Sequence, residues 1–518
     1  MSEFPLITIL TLTPLVGGVV VLVAQSENAK LAKGLALTFA ILALAVAGVI
    51  CACFNPGAPG FQFIERGDWI PKLSVEYFVG VDGLGLLMML LTALLVPMAM
   101  LASWRMVDRP GLYFGLMLLL QSGLFGTFTA LNFFHWFIFW ELSLVPAFFL
   151  IKLWGGPRRG AAATQFFVYT MFGSIAMLLA FLAIWYASGT FDFVLLARDG
   201  QTGKLARALA DTLHWPGVSG GTITTLVFLG VLLGFAVKVP LVPFHTWLPM
   251  AYAEAPSTTT MLLTGAMSKM GMYGFLRILL PIFPDQTRAL LTPLLWLAVA
   301  TIILSACAAF AQRDLKRIFA YSSINHLGYC LLGAFAVMKA TGTDATLATE
   351  KAAAFNGVVL QMFNHGLTAA TLFCFVAFLE QRSGGLRGLN DFGGLRKVAP
   401  VFTGLMGIAI FASLGLPGLN GFVGEFLIFK GAFSLVSWAT ALATIGLLVT
   451  AIFLLTLTQR VFHGPLNQKW AALPDLTTGE RWIVLPATAL MFAIGLYPQL
   501  VIGLFNATTL QVVERLKY

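Results

Sequence analysis

The sequence predicts an all-α membrane protein with about fourteen transmembrane helices. Of its 518 residues, 59% are hydrophobic and 10% are charged, whereas soluble domains carry about 25% charged residues. The mean hydropathy is +0.89. Apolar runs long enough to cross a bilayer recur at short intervals, which favours a single polytopic membrane domain over residues 1–518 and no separate soluble domain.

The candidate spans follow one another along the chain with mostly short connections. They are 4–24, 31–54, 83–104, 112–130, 132–152, 163–187, 222–244, 256–281, 289–311, 317–338, 352–380, 400–418 continuing to 435, 437–462 and 482–505. We expect the seventh, eleventh and twelfth spans to be discontinuous. The connections 55–82 and 188–221 are mixed in charge and rich in Gly and Pro, which is typical of loops outside the membrane.

The distribution of basic residues predicts the orientation of the chain. Lys and Arg are concentrated in the odd-numbered connections, and cytoplasmic loops of membrane proteins carry an excess of these residues. The odd connections are therefore expected to be cytoplasmic, with both termini on the opposite side. The net charge of +9 is placed in short loops between spans, so it does not indicate nucleic-acid binding.

No sequence motif of a soluble enzyme competes with this interpretation. The five cysteines show no metal or disulfide spacing, so we expect no iron–sulfur cluster, haem or metal site in this chain. The glycine-rich stretch at 415–418 lacks the Lys-Ser ending of a phosphate-binding loop. Neither a dinucleotide fingerprint nor a nucleophile elbow is present in the sequence.

Two lysines and a histidine lie in or beside apolar runs in the stretch 235–277. Lys238 is followed by Pro240 and Pro243, which remove backbone donors and are expected to interrupt the helix beside the charge. Lys269 lies roughly nine residues into the apolar run that starts at Met261, too deep to reach the interface easily. A charge at this depth costs about 2.5–3.5 kcal/mol, which favours a polar path over an interfacial role. His245 lies between the two lysines.

Glu141 is the acidic residue expected to meet Lys238. It lies about nine residues inside the fifth span, within FHWFIFWELSLVPAFFLIKLW. If the two side chains meet, each favours the charged form of the other, and protonating one changes the other. The pair is then either a switch that hands on a proton or a static salt bridge between two helices.

The second half of the sequence carries a similar set of ionisable residues. His326 and His365 lie in the tenth and eleventh spans, where imidazoles can form a proton wire or simply join helices by hydrogen bonds. Glu425 follows a Gly/Pro break, and Lys430 is either its partner or an interfacial charge. The path we predict for proton transfer is Glu141, Lys238, Lys269, then His326 or His365, then Glu425.

Six stretches of the sequence resemble the antiporter-like subunits of respiratory complex I (NADH:quinone oxidoreductase), most closely the subunit M or chain 4 family. They are GVDGLGLLMMLLTALL, FWELSLVPAFFLIKLWGG, FAVKVPLVPFHTWLP, AQRDLKRIFAYSSINHLGY, FNHGLTAATLF and GLPGLNGFVGEF. The resemblance implies two inverted five-helix repeats with discontinuous helices, in halves 112–281 and 289–462. It also implies proton-transfer roles for the six ionisable residues of the predicted path, with His245 and Lys430 in support.

The resemblance further implies the partners of this chain. We expect other membrane subunits, including further antiporter-like ones, and no nucleic acid. NADH, FMN, iron–sulfur clusters and quinone would belong to partner subunits, with no cofactor here. The membrane would be a bacterial inner membrane or its equivalent.

One departure from the family affects the channel region. The family commonly has Asp-Ala-His after WLP, whereas this chain has Met250-Ala-Tyr252, which replaces two polar groups. The stretch AYAEAPS also resembles subunits of cation/proton antiporters and membrane-bound hydrogenases. These, and subunits of carbon-dioxide-hydrating complexes, remain alternatives.

Overall fold

The computed structural model describes residues 4–23, 29–105, 108–340, 342 and 344–516. Each of the fourteen predicted spans corresponds to a helix or to a group of shorter helices. In chain order the helices are α1 (Leu6–Val23), α2 (Ala29–Cys53), α3 (Gly83–Ala102), α4 (Pro110–Thr129), α5 (Phe133–Trp154), α6 (Arg159–Ser188), α7 (Phe193–Gln201), α8 (Lys204–Thr212), α9 (Gly220–Lys238), α10 (Trp247–Glu254), α11 (Ser257–Leu262), α12 (Ser268–Gly274), α13 (Leu280–Ile282), α14 (Pro284–Ala289), α15 (Leu291–Ala311), α16 (Leu315–Ala336), α17 (Ala345–Ser383), α18 (Pro400–Ser413), α19 (Asn420–Leu435), α20 (Ser437–Phe462), α21 (Thr478–Leu496) and α22 (Gln499–Arg515).

Within the described ranges, eleven helices are long and apolar enough to cross a membrane. The predicted eighth, tenth and twelfth spans fall outside this group. The eighth consists of α11 to α13 joined by π-helical stretches at Leu263–Met267 and Phe275–Leu279. The tenth is the more polar α16, and the twelfth is divided between α18 and α19. These segments carry Lys269, His326 and Glu425, three of the six ionisable residues of the predicted path.

Breaks occur at the seventh and twelfth spans, as predicted, but the prediction for the eleventh span is wrong. α17 is one continuous helix of 39 residues. It contains no proline, so every residue from Ala345 to Ser383 retains the amide donor that a continuous helix needs. The last predicted span is divided instead, between α21 and α22 at Pro498.

The two long connections contain regular structure that the sequence did not predict. In the first, β1 (Gln62–Ile70) and β2 (Val75–Val81) form an antiparallel hairpin in which Gln62 faces Val81 and Asp68 faces Glu76. The second contains α7 and α8. Arg66 joins the two connections, because its guanidinium contacts Glu76 at 2.6 Å and Asp192, the N-cap of α7, at 3.1 Å.

α17 forms the centre of the bundle. It packs against α3, α11, α16, α18, α19, α21 and α22, and its apolar middle is fully buried. By contrast, less than half of the apolar stretch of α1, α2 and α20 is buried, as in helices that face lipid. Polar side chains on α17 are therefore enclosed by protein, where each needs a partner from a neighbouring helix.

Candidate functional site

The break after α9 exposes backbone carbonyls beside Lys238. Pro240 has no amide hydrogen to give to Ala236 O, and the amide of Leu241 donates to that oxygen instead, at 2.9 Å. The carbonyl of Val237, which a continuous helix would have paired with Leu241, accepts from Trp247 Nε1 at 3.0 Å. The indole thus satisfies the polar group that the break leaves unpaired.

Lys238 lies buried between aromatic and polar side chains. Its Nζ is 4.9 Å from the centroid of the Trp140 ring, within the range of a cation–π interaction. Among the described side chains, Lys238 and Glu141 interact electrostatically but form no ion pair within 4.0 Å. Ser174 lies near the Glu141 carboxylate and accepts from Trp140 Nε1 at 2.9 Å. Glu141 and Lys238 therefore influence each other without direct contact.

Lys269 is held by a carbonyl that the first π-helical stretch makes available. The amide of Ser268 donates to Leu263 O instead of Thr264 O, the acceptor that an α-helix would provide. Thr264 O accepts instead from Lys269 Nζ at 2.5 Å and from Ser268 Oγ at 2.9 Å. Lys269 is fully buried, so the widened turn supplies part of the polar environment that its ammonium needs.

A contiguous series of ionisable side chains begins at Lys269. Its Nζ lies 2.7 Å from His365 Nδ1, and the rings of His365 and His326 have centroids 5.3 Å apart. His326 Nδ1 lies 2.9 Å from Glu425 Oε1, although this contact lacks hydrogen-bond alignment. Four residues from α12, α17, α16 and α19 thus form one buried row, which we call the central row.

Polar side chains of the neighbouring helices hold the second half of this row. Gln361 Nε2 donates to Glu425 Oε1 at 3.0 Å, and Ser413 Oγ lies 3.2 Å from His326 Nε2. Gly415 has a φ of +80° at the break between α18 and α19, and a Cβ there would lie 2.9 Å from Glu425 Oε2. Glycine is therefore needed both for the turn and for the space beside the carboxylate.

Two small cavities of about 10 Å³ each lie beside residues of the predicted path. One is lined by Lys238, Tyr252 and Ser268 together with mostly apolar side chains. The other is lined by residues that include His326, His365 and Glu425. A polar cavity of this size is close to the smallest that holds one water molecule. A water in the first would bridge Lys238 and Ser268, and a water in the second would bridge His365 and His326.

The two supporting residues lie outside this contact series. Lys430 pairs with Glu350 at 2.8 Å and not with Glu425. His245 is half-buried in the break, and its Nδ1 has no hydrogen-bond partner among the described residues. Tyr252, at one of the positions that depart from the family, is buried and donates to Leu263 O at 3.0 Å. It therefore contributes a hydroxyl group close to both lysines.

Some residues near the site were not predicted from the sequence. Most of them are uncharged, and one is a lysine expected to lie in a connection. Thr264 and Ser268 precede Lys269 by five residues and one residue, and a hydroxyl beside a buried lysine was a signal that could have identified them. Gln361 precedes His365 by one helical turn, so both side chains lie on the same face of α17. Lys316 lies in the connection before the predicted tenth span, among basic residues expected to be exposed, but it is buried on α16.

Comparison with known proteins gives consistent matches over nearly the whole chain. The family model described as "NADH:quinone oxidoreductase/Mrp antiporter, TM" matches residues 130–452. NADH-quinone oxidoreductase subunit M of Rhodobacter capsulatus is 35% identical, with 98% of this chain and 96% of the relative covered. NAD(P)H-quinone oxidoreductase chain 4 3 of Trichormus variabilis is 34% identical, with 98% and 91% covered.

Two solved structures match the fold at similar quality. A chain of respiratory complex I from Thermus thermophilus with bound NADH has a TM-score of 0.82 at 27% identity, covering 98% of this chain and 99% of that chain. A chain of the Mrp complex from a Dietzia species also has a TM-score of 0.82, at 20% identity, with 99% and 100% covered. The predicted antiporter-like membrane fold is thereby confirmed.

Proposed function

Because this chain belongs to the family of NADH:quinone oxidoreductase and Mrp antiporter membrane subunits, and its relatives are named subunit M or chain 4, we propose that it carries protons through the membrane along the central row. The observation that supports this most strongly is the contiguous series from Lys269 to Glu425. Such residues are rarely buried in a membrane without a transport role. Each can also take up and release a proton.

The contacts define where protons would be held and moved. Lys269 Nζ donates to His365 Nδ1, so that a proton transferred there leaves a neutral lysine and a protonated ring. The proton then passes to His326 through water in the second cavity, and from His326 to Glu425 Oε1. Ser413 and Gln361 hold the acceptors in place but do not exchange protons themselves.

Glu141 and Lys238 act as the switch of the first half. When Glu141 is ionised it stabilises the Lys238 ammonium, and when it is neutral that stabilisation is lost. A proton released by Lys238 reaches Ser268 and Lys269 through the first cavity. The halves 112–281 and 289–462 thus contribute the first three and the last three residues of the path.

Energy for this transfer comes from redox chemistry in partner subunits. These hold NADH, FMN, iron–sulfur clusters and quinone, and they include further antiporter-like membrane subunits. This chain is a translocase subunit without redox catalysis of its own. It lies in a bacterial inner membrane or an equivalent, with both termini on the non-cytoplasmic side and Lys430 and Glu350 near that side.

The test is substitution of Lys238 or Glu141 by alanine in the assembled complex. Proteoliposomes are assayed for proton pumping with a pH-sensitive dye and for quinone-linked NADH oxidation. We expect pumping to fall while assembly is retained, and the exposed Lys72→Ala variant serves as the control. Unchanged pumping and turnover in both site variants would refute the proposal.

A second candidate is a subunit of a sodium/proton antiporter, favoured by the fold match to the Mrp complex. Hard cations prefer several oxygen ligands, whereas Lys269 contacts a nitrogen and two oxygens. Replacing sodium by potassium separates the two functions. Proton pumping that is unaffected by the replacement supports the first, and pumping that stops without sodium supports the second.

A further inference from the structure

A vestibule of about 320 Å³ opens on the side that the charge distribution predicts to be cytoplasmic. Its walls come from α3, α11, α17 and the adjoining connections. They consist of Ala102, Ser103, Arg105, Pro256, Ser257, Thr258, Ala377, Glu380 and Gln381. Glu380 is half-buried at the end of α17, and its Oε2 accepts from Ser257 Oγ at 2.5 Å. The vestibule therefore brings solvent to a carboxylate on the central helix.

A buried lysine lies behind this carboxylate. Lys316 is 2% exposed, and its ammonium donates to Ala255 O at the end of α10. It interacts electrostatically with Glu380, Arg387, Asp314 and Glu254. A buried ammonium beside a carboxylate repeats the arrangement of Lys238 and Glu141 in the first half.

The three acids of this cluster are not equivalent. Asp314 contacts Arg387 Nε at 2.6 Å, and Glu254 contacts Arg158 Nε at 3.3 Å and accepts from its amide at 3.0 Å. The ion pair of Glu380 with Arg387 is longer, at 3.8 Å. Glu380 is the one of these three that lines the vestibule, so it is the acid placed to exchange a proton with solvent.

Buried hydroxyl groups continue inward from Glu380. The first are Ser257, Thr258, Thr259 and Thr260 of α11. Tyr113 OH lies 2.8 Å from Thr258 Oγ1 and 3.2 Å from Thr259 Oγ1. Tyr252, Thr264 and Ser268 then lead to Lys269, which lies about 18 Å from Ser257 at the helical rise per residue. Hydroxyl groups both donate and accept, so with intervening waters they can carry a proton.

We propose that Glu380 is a proton-loading residue, which takes protons from the vestibule and passes them through Ser257 and the hydroxyl run to Lys269. The proton binds at Glu380 Oε2 and moves to Ser257 Oγ as the serine gives up its own proton inward. Lys316 positions the carboxylate and balances its charge when the proton has left. This inference rests on the proposed function, since it supplies protons to the central row.

The experiment uses the assembled complex in proteoliposomes with the predicted cytoplasmic face outward. Pumping by Glu380→Gln is measured at about pH 6 and about pH 8. We expect a loss of roughly ten-fold at the higher pH and near wild-type rates at the lower pH, because abundant protons can bypass the missing acid. Ser257→Ala, which leaves the ion cluster intact, removes the next group of the relay and should slow pumping at both pH values.

Controls distinguish the possible failures. Glu380→Asp should keep pumping close to normal, and Glu76→Gln removes an acid of the hairpin remote from the vestibule. If Glu380→Gln loses pumping equally at both pH values, Glu380 only locks the helices together. If Glu380→Gln shows no loss at either pH, the inference is also overturned. Lys269→Met is measured in parallel. If it pumps normally, the proposed function has failed; if it is silent while Glu380→Gln is normal, only the vestibule inference has failed.

Discussion

Gly366 on α17 and Gly265 in the first π-helical stretch bring two backbone segments into close contact beside the site. A Cβ at position 366 would lie 2.5 Å from Gly265 O and 2.5 Å from Leu91 Cδ2. The leucine methyl group can move aside, but the carbonyl is fixed in its helix. Carbon–oxygen contacts below about 3.3 Å are rare, so Gly366→Ala should push the two segments apart by roughly 0.8 Å.

This displacement falls next to the first contact of the central row. Lys269 Nζ and His365 Nδ1 are 2.7 Å apart, and a shift of that size would take them to about 3.5 Å, beyond hydrogen-bond range. Overpacking of a core costs about 1–3 kcal/mol, partly offset by about 0.5–1 kcal/mol from replacing a helical glycine. The complex should therefore assemble, while pumping slows by roughly ten- to a hundred-fold, as misplacement by 1 Å can cause.

The assay compares Gly366→Ala with Gly404→Ala in proteoliposomes. Gly404 is also helical, but a Cβ there meets nothing within 4 Å, so the control carries the same chemical change without the contact. Assembly is checked by native electrophoresis before the rates are compared. If Gly366→Ala pumps as fast as Gly404→Ala in an intact complex, the close approach of these helices does not matter for transfer.

Two further predictions concern the structure around the path. Trp247→Phe removes the donor to Val237 O, which should cost about 1–3 kcal/mol and lower the thermal stability of the complex; an unchanged melting temperature would mean that water replaces the indole. Arg277→Leu leaves Asp82 as a buried unpaired charge, which should cost about 3–5 kcal/mol and reduce assembly. The double variant with Asp82→Asn should assemble better than Arg277→Leu alone, and failure to do so would show that the pair is not the cause.

The sequence was sufficient to locate the spans because membrane crossing requires long apolar runs, and these are visible without a structure. It could not predict the hairpin, because the sequence of β1 lacks a regular alternation of apolar and polar residues. The π-helical stretch before Lys269 was also invisible. Gly265 in this stretch packs closely against α17, and no local signal in the sequence indicates such a contact.

For the candidate site, the sequence predicted which ionisable residues are buried in the membrane, but not which of their side chains are in contact. Depth within a span predicted roles for Lys269 and Glu141, because a charge at that depth is rarely tolerated without a polar path around it. The breaks in the helices predicted roles for Lys238 and Glu425. Partners depend on helix rotation, which is set by tertiary packing. The sequence could therefore not predict that Lys430 pairs with Glu350, or that Lys316 is buried.

The central claim is that Lys269 is a proton-exchanging member of a connected row. Its most direct test is the pumping rate and quinone-linked turnover of Lys269→Met in an assembled complex, beside Lys339→Met. Lys339 also donates to a backbone carbonyl, that of Leu435 at 2.7 Å, but lies outside the row. We predict pumping slower by about ten-fold or more for Lys269→Met alone. Equal, near-normal pumping by both variants would contradict the account.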